Sequence, residues 1–333
     1  MAIVQDTDVL TSNAAPKRKL NMAQRDTAWG LAFLSPWLIG LGLFTAIPMI
    51  VSFVLSFTDF NLLAPTHTHF VFVDNYAWML TDSLTQKSLF ITLKFAVMTI
   101  PLTIFSALGI AILVNQKLLV GKRIFRTLFF MPVQIPLVAS TMLWMDFLNG
   151  NTGWLKYLIE GIAHALGQLP FLGFLMSVQS PNWFDDTTWA LPGLVVIGIW
   201  GIGNAMLIFL AGLQSVPTEL YEAASIDGAG AWKQFRHVTL PMISPVFFYN
   251  LLLMTIGTFQ YFTQAYVLGG GHPGRPDNET YLYNIGLYNQ AWNNNLMGRG
   301  CALAWFLFAV VLIISAVMFR TSAKWVFYAG AER

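Results

Sequence analysis

The chain has 333 residues, 56% of them hydrophobic and 10% charged, with a net charge of +2. Soluble domains carry roughly 25% charged residues, so this composition argues against a water-soluble enzyme, and the balance of charge is too even to point to a nucleic-acid partner. A single cysteine, Cys301, excludes an internal disulfide and a multi-cysteine metal site, which leaves a membrane protein.

The first 27 residues are polar, contain Pro16 and the basic run Lys17-Arg18-Lys19, and lack a short apolar core before a cleavage site. They read as a disordered cytoplasmic tail and not as a signal peptide. Beyond them, a helical span needs about 20 mostly apolar residues. Six windows without Asp, Glu, Lys or Arg are long and apolar: 27–58, 95–116, 127–145, 187–218, 237–274 and 300–319. They predict helices over 30–57, 88–114, 127–148, 189–213, 242–268 and 301–319. The expected fold is an all-α membrane protein, with residues 28–333 forming one six-helix domain.

Between the third and fourth spans, Leu155, Leu158, Ile159 and Ile162 recur at helical spacing and predict an amphipathic helix at the membrane surface. The apolar stretch 165–178 is short and interrupted by Gln168 and Pro170, which suits an interfacial or re-entrant segment better than a span. Residues 280–298, with Asn284, Asn289, Asn293, Asn294 and Asn295, read as a polar loop.

Loop charge sets the orientation. With six spans, one side receives Lys17, Arg18, Lys19, Arg25, Lys117, Lys122, Arg123, Arg126, Lys233, Arg236, Arg320, Lys324 and Arg333. The other receives Lys87, Lys156, Arg275 and Arg299. The positive-inside rule makes the first side, with both termini, cytoplasmic. Within the spans, Lys94 is expected to snorkel outward or face protein, and Asp146 to sit near the wet outer end of the third helix. A proton relay would need several acids or histidines at mid-depth, and the spans offer none.

The loop 214–241 carries the strongest local pattern. Glu222-Ala223-Ala224-Ser225-Ile226-Asp227-Gly228 is followed after nine residues by Val238-Thr239-Leu240-Pro241, which fits E-A-A-x3-G-x9-[IV]-x-L-P. Residues 221–226 are good helix formers, and Gly228 and Gly230 let the chain turn out of that helix. The small Ala223 and Ala224 permit close docking, and Glu222 and Asp227 offer charge-assisted contacts. This loop resembles the signature loop of permease subunits in binding-protein-dependent ABC importers. The likeness extends over about residues 28–330. Phe72-Val73-Asp74-Asn75-Tyr76, the run from Leu207 to Gln214 followed by Val216-Pro217, and Met297-Gly298 resemble the carbohydrate-uptake branch, the maltose-, lactose- and glycerol-phosphate-type permeases.

The resemblance implies a type I importer permease fold in the cell inner membrane. It also implies a coupling role for Glu222, Ala223, Ala224, Asp227, Gly228, Leu240 and Pro241 against a separate ATPase. The expected partners are a second, homologous permease, an ATPase dimer, an external or periplasmic solute-binding protein and membrane lipid. ATP and Mg would sit on the ATPase subunits. No G-x-x-x-x-G-K-[ST] loop is present in this chain, since Gly121-Lys122 is followed by Arg123 and Gln116 stands where the first glycine belongs. No cofactor and no catalytic residue is expected here.

For the solute path, Asn250, Met254, Gly257, Thr258 and Tyr261 share one face of the fifth helix, and Ile197, Trp200, Gly201 and Asn204 a face of the fourth. By resemblance to maltose-type permeases, Ile197, Gly201, Asn204, Met254, Gly257, Thr258 and Tyr261 would line a sugar pocket. Packing against a partner helix is the competing reading of the same small and polar residues. His67 and His69 in the first outer loop read as solvated residues and not as metal ligands, the pair Asp185 and Asp186 as an exposed loop end, and Cys301 as packing in the last helix. The expected function is the permease subunit of an ATP-driven sugar importer; the alternative is a stand-alone secondary carrier or channel for a polar solute.

Overall fold

The computed structural model describes residues 21–116, 118–169, 171–270 and 274–327. The expected tail over 1–20, together with Lys117, Pro170, Gly271 and Arg333, lies outside the described residues. The chain divides into two units, Met1–Ser52 and Phe53–Arg333.

The described part of the first unit is helical. Helix α1, Met22–Leu55, begins eight residues before the predicted start, so residues 22–27 belong to the helix and not to the tail. The cause is a capping box. The Asn21 side chain accepts from the Met22 N–H at 2.7 Å, and the Asn21 N–H donates to the Gln24 side chain at 3.1 Å. These bonds satisfy donors that a helix start otherwise leaves open.

The second unit is built around α3, Ser83–Asn115, which follows the short α2, Asp74–Thr81. Asp82 caps α3 by accepting from the Thr85 N–H at 2.8 Å. Along α3 the buried positions Ile91, Phe95, Ala96, Ile104, Ala107, Leu108, Ala111 and Val114 recur at three- and four-residue steps, while Lys94 and Val97 are exposed. Three cores draw on this one helix, Ala96 joining Phe259, Tyr283 and Leu303 in one of them. Ile91 and Phe95 pack with Leu191, Leu194, Leu268 and Ile285. Further along, Ile104, Ala107 and Ala111 pack with Met206, Phe209, Leu213 and Ile243. Lipid is as apolar as leucine, so close van der Waals fit and small residues must supply the attraction; Ala107 and Ala111 are fully buried.

Three of the six predicted spans are broken. The third is α4, Lys122–Phe130, with a short turn Met131–Gln134, then α5, Leu137–Phe147, the two parts set 102° apart. Pro132 and Pro136 explain the break, because each lacks a donor, and Ile135 before Pro136 is held extended. The fourth is α7, Ala190–Trp200, and α8, Gly203–Gln214, bent by 51° at Gly201 and Ile202. The fifth joins α10, Ala231–Met242, to Ser244–Leu268 at 66°; the latter comprises α11, Ser244–Phe259, and α12, Thr263–Leu268. Helix α9, Thr218–Ile226, precedes α10. With the unbroken α1, α3 and α14, Met297–Ser322, the described residues contain up to six candidate spans when each bent pair counts as one. No strand occurs among the described residues; only the isolated bridges Thr58 to Phe70 and Asn61 to Leu296 do.

Two loop expectations change. Helix α6, Trp154–Gly167, forms between the third and fourth spans as expected, but its buried side is Ala163 and Gly167, with Leu155 and Ile159 half-buried, whereas Leu158 and Ile162 are exposed. The segment read as a polar loop over 280–298 contains α13, Tyr283–Tyr288, continued by a π-turn Asn289–Asn293. Its polar groups serve as internal caps. Tyr283 is buried and its hydroxyl donates to the Leu303 carbonyl at 3.0 Å, while Asn284 donates to the Phe259 carbonyl at the end of α11 at 2.9 Å.

Candidate functional site

The signature loop folds into α9 and α10, which lean on each other. Pro217 stands just before α9, where its missing donor costs nothing. At the other end Gly228 adopts φ +75°. The Gly228 N–H donates to the Ser225 carbonyl at 3.1 Å and the Ala229 N–H to the Ala224 carbonyl at 2.9 Å. This paired closure needs a left-handed residue four positions after Ala224, which glycine adopts without the penalty a Cβ brings. The A-x3-G spacing is therefore a helix terminator.

The outer surface of α9 is open. Glu222, Ala223, Asp227 and Gly228 are exposed, Ala224 is half-buried, and Ile226 is 87% exposed. Trp232 at the start of α10 is also exposed and stacks with Phe235. A bare isoleucine and tryptophan thus lie beside two acids, Glu222 and Asp227, neither of which takes part in an ion pair among the described residues. The inner side is pinned. The Tyr221 hydroxyl lies 2.9 Å from the Thr239 Oγ1, and the Gln234 side chain donates to the Ser225 hydroxyl at 2.8 Å and to the Ala229 carbonyl at 3.1 Å. Leu240 is exposed at the end of α10, and Pro241 leads through the fully buried Ile243 into the inner core. Tyr221, Ser225, Gln234 and Thr239 were not singled out from the sequence; Tyr221 and Ser225 at i and i+4 were the available signal.

The predicted solute-path residues separate into two groups. Gly201 and Asn204, at the break between α7 and α8, and Gly257 on α11 are exposed. Ile197 and Thr258 are buried, the Thr258 hydroxyl donating to the Met254 carbonyl at 2.7 Å. Met254 is half-buried, with its sulfur 3.6 Å from the Thr103 hydroxyl. Tyr261 packs its ring 4.8 Å from that of Phe95, and its buried hydroxyl has no hydrogen-bond partner. Beside the exposed Gly201 lies a groove of about 390 Å³ lined by Ser140, Trp144, Asp146, Trp154 and Trp200, among others. The rings of Trp144 and Trp200 meet edge-on at 5.3 Å. Trp144 and Trp154 were missed because they lie in separate segments that only the folded chain brings together.

The segments between the apolar helices are cross-tied. Asn75, buried at the start of α2, donates to the carbonyls of Ser56 at 2.9 Å and Thr58 at 2.8 Å, and Tyr76 and Ser56 pair their hydroxyls at 2.8 Å. Lys87 pairs with Glu279 at 3.1 Å. Asp185 lies 3.7 Å from Arg275, and Asp186 accepts from the Thr188 N–H. His69 does not join His67 in a ligand set. It pairs with Asp59 at 3.2 Å, and its backbone N–H, 2.5 Å from the same carboxylate, holds Asp59 below the usual carboxylate range. No cluster of three or more His, Cys, Asp or Glu suited to a metal occurs among the described residues, and Cys301 is a buried free thiol in α14.

Residues 95–324 match the family described as binding-protein-dependent transport system inner membrane component. The chain is 36% identical over 326 residues to the probable ABC transporter permease protein YesP of Bacillus subtilis, covering 97% of this chain and all of that one. It is 32% identical over 301 residues to the arabinooligosaccharides transport system permease protein AraP of the same organism, covering 88% of each. In fold it is similar to a chain of a bacterial alginate ABC transporter crystallised with an alginate pentasaccharide-bound periplasmic protein. The TM-score is 0.73 at 17% identity, with 90% of this chain and 95% of that chain covered.

Proposed function

This chain belongs to the family of binding-protein-dependent transport system inner membrane components, and on that footing we propose that it is a permease subunit of an ATP-driven sugar importer, coupled to its ATPase through α9. The observation that carries the reading is the two-sided character of α9. Its outer surface, with Glu222, Ala223, Ile226 and Asp227, is open for a partner, while its inner side is bonded through Tyr221 and Thr239 to the helix that runs into the core. A push on α9 is thus delivered to α10, across the 66° bend at Met242 and Ser244, and on to α11.

The loop-charge asymmetry supports a cytoplasmic position for α9 and both termini, at the inner membrane. ATP and Mg are held by the partner ATPase pair, a second homologous permease completes the path, and an external or periplasmic binding protein delivers solute. Work from ATP enters only if the docked ATPase favours one state of the bundle over the other. The solute class follows from relatives named for arabinooligosaccharides and for starch degradation products. Within the chain, indole faces at Trp144, Trp154 and Trp200 beside the Asp146 carboxylate and the Ser140 hydroxyl offer a ring surface with hydrogen-bonding groups, which suits a sugar.

The test is co-purification and ligand-stimulated ATPase activity of the assembled complex. Glu222→Lys and Gly228→Pro are expected to insert normally yet lose stimulation, and Trp200→Ala with Asn204→Ala to slow uptake. Full stimulation in both loop variants defeats the coupling assignment. Solute uptake by this chain in liposomes without any ATPase replaces it with a lone carrier.

A further inference from the structure

Charge along this chain is most one-sided around α4. Over residues 83–145 the sequence contains Lys87, Lys94, Lys117, Lys122, Arg123 and Arg126 and no Asp or Glu. Three of these bases lie on α4, and none of the three takes part in an ion pair among the described residues. The Arg126 Nε is buried without a hydrogen-bond partner among the described residues. A buried, unanswered guanidinium nitrogen is costly unless something supplies an acceptor.

The apolar face of the same helix meets the end of α3. Phe125 and Phe129 join Leu113, Val114 and Leu119 around a groove of about 380 Å³. Lys122 and Arg126, one turn apart and both half-buried, flank the side of α4 that carries Phe129. The 102° turn into α5 prevents both helices from following the membrane normal. Standing nearly perpendicular to α5, α4 has the attitude and the two-sided composition of an amphipathic helix at a bilayer interface.

We propose that this groove and its basic rim form a binding site for an anionic phospholipid, with an acyl chain against Leu113, Leu119 and Phe125 and the phosphate held by Lys122 and Arg126. Each half of the site needs the other half of that ligand. An apolar partner helix would fill the groove but leave three bases uncompensated, and free phosphate would answer the bases but leave the groove bare. Basic pockets between helices on the cytoplasmic side select anionic headgroups for this reason.

The experiment uses the protein as purified from membranes with its accompanying subunits, exchanged into detergent with equal phosphatidylglycerol and phosphatidylcholine. Retained lipid is measured by mass spectrometry. The wild type is expected to keep phosphatidylglycerol preferentially. Lys122→Gln and Arg126→Gln should each weaken that preference about fivefold, Lys122→Arg should preserve it, and Leu119→Trp should lose the lipid while keeping the charge. Gel filtration checks that each variant remains assembled. Unchanged retention in the two glutamine variants overturns the site. Equal competition by glycerol phosphate, which has no acyl chain, reduces it to a plain anion site. A wild type that keeps neither lipid means that protein covers the face, and the proposal fails.

Discussion

Asn75 and Gly298, from opposite ends of the second unit, meet at the carbonyl of Thr58: the amide of one donates to it at 2.8 Å, and the other leaves room for it where a Cβ would overlap the oxygen. The Gly298 N–H then donates to the Phe60 carbonyl at 3.1 Å. Two short segments noticed in the sequence for their family likeness thus form one clasp on the residues that follow α1. Asn75→Leu leaves two carbonyls without their donor, at about 1–3 kcal/mol. Gly298→Ala must displace backbone at Thr58 and Phe60, which costs roughly 1–3 kcal/mol. Both should lower the melting temperature of the purified protein, and a Gly298→Ala variant as stable as wild type would contradict this packing.

At the end of α9 the stakes are conformational. No atom lies within 4 Å of a Cβ placed on Gly228, so Gly228→Ala meets no clash and suffers only from φ +75°, at about 1–2 kcal/mol. Gly228→Asn, which tolerates the left-handed region, should recover much of the loss. Stimulated ATPase activity is expected to rank glycine, asparagine, alanine, proline. A steric role for the glycine would instead rank alanine above asparagine.

The Tyr221–Thr239 pair invites a double-mutant cycle. Tyr221→Phe and Thr239→Val each remove one hydroxyl from a half-buried contact and should each cost about 1 kcal/mol, with less than additive loss in the double variant. If the pair transmits the push, the ratio of solute moved to ATP spent falls in each single variant. A ratio that stays constant while stability falls makes the contact purely structural.

Gly203 is the close approach between α8 and the last residues of α4. A Cβ there would stand 2.5 Å from the Phe129 carbonyl oxygen and 3.0 Å from the Phe130 Cα, both backbone. Gly203→Ala is expected to push these elements apart, destabilise the protein by about 1–3 kcal/mol, and raise hydrogen exchange over 125–134. Gly257→Ala, with open space around it, is the control that should leave stability nearly unchanged.

Acid should loosen the loop closed by the Thr58–Phe70 bridge. The carboxyl of Asp59 is held below its ordinary value mainly by the His69 N–H. A depressed folded value means that the contribution is present above the unfolded carboxylate value, about 3.9, and is lost as pH falls through the folded one. Pepsin cleavage within 59–70 is therefore expected to rise steeply below about pH 4 in the wild type. Asp59→Asn should be cleaved at that higher level without the same pH step.

The membrane class, the six apolar stretches and the short helix around Glu222 were legible in the residues themselves. Each depends on local chemistry: an absence of charge over 20 residues, a run of helix formers, a glycine to turn out. The early start of α1 was also written locally, in Asn21 and Gln24, but it sat among charged residues outside the apolar window. Breaks at Pro132, Pro136 and Gly201 had local signals as well, yet their angles did not.

What only the tertiary structure decided is which groups meet. Hydropathy cannot separate a side chain facing lipid from one facing a neighbouring helix, because both surroundings are apolar. For that reason one helical face divides into an exposed Gly257 and a buried Thr258, and Tyr261 turns its ring onto Phe95. The same blindness hid the polar residues of 283–293, whose amides and hydroxyls answer carbonyls on distant helices such as Phe259 and Leu303. In a bilayer an unpaired backbone group has no water to turn to, so those partners had to come from elsewhere in the chain, and only folding places them.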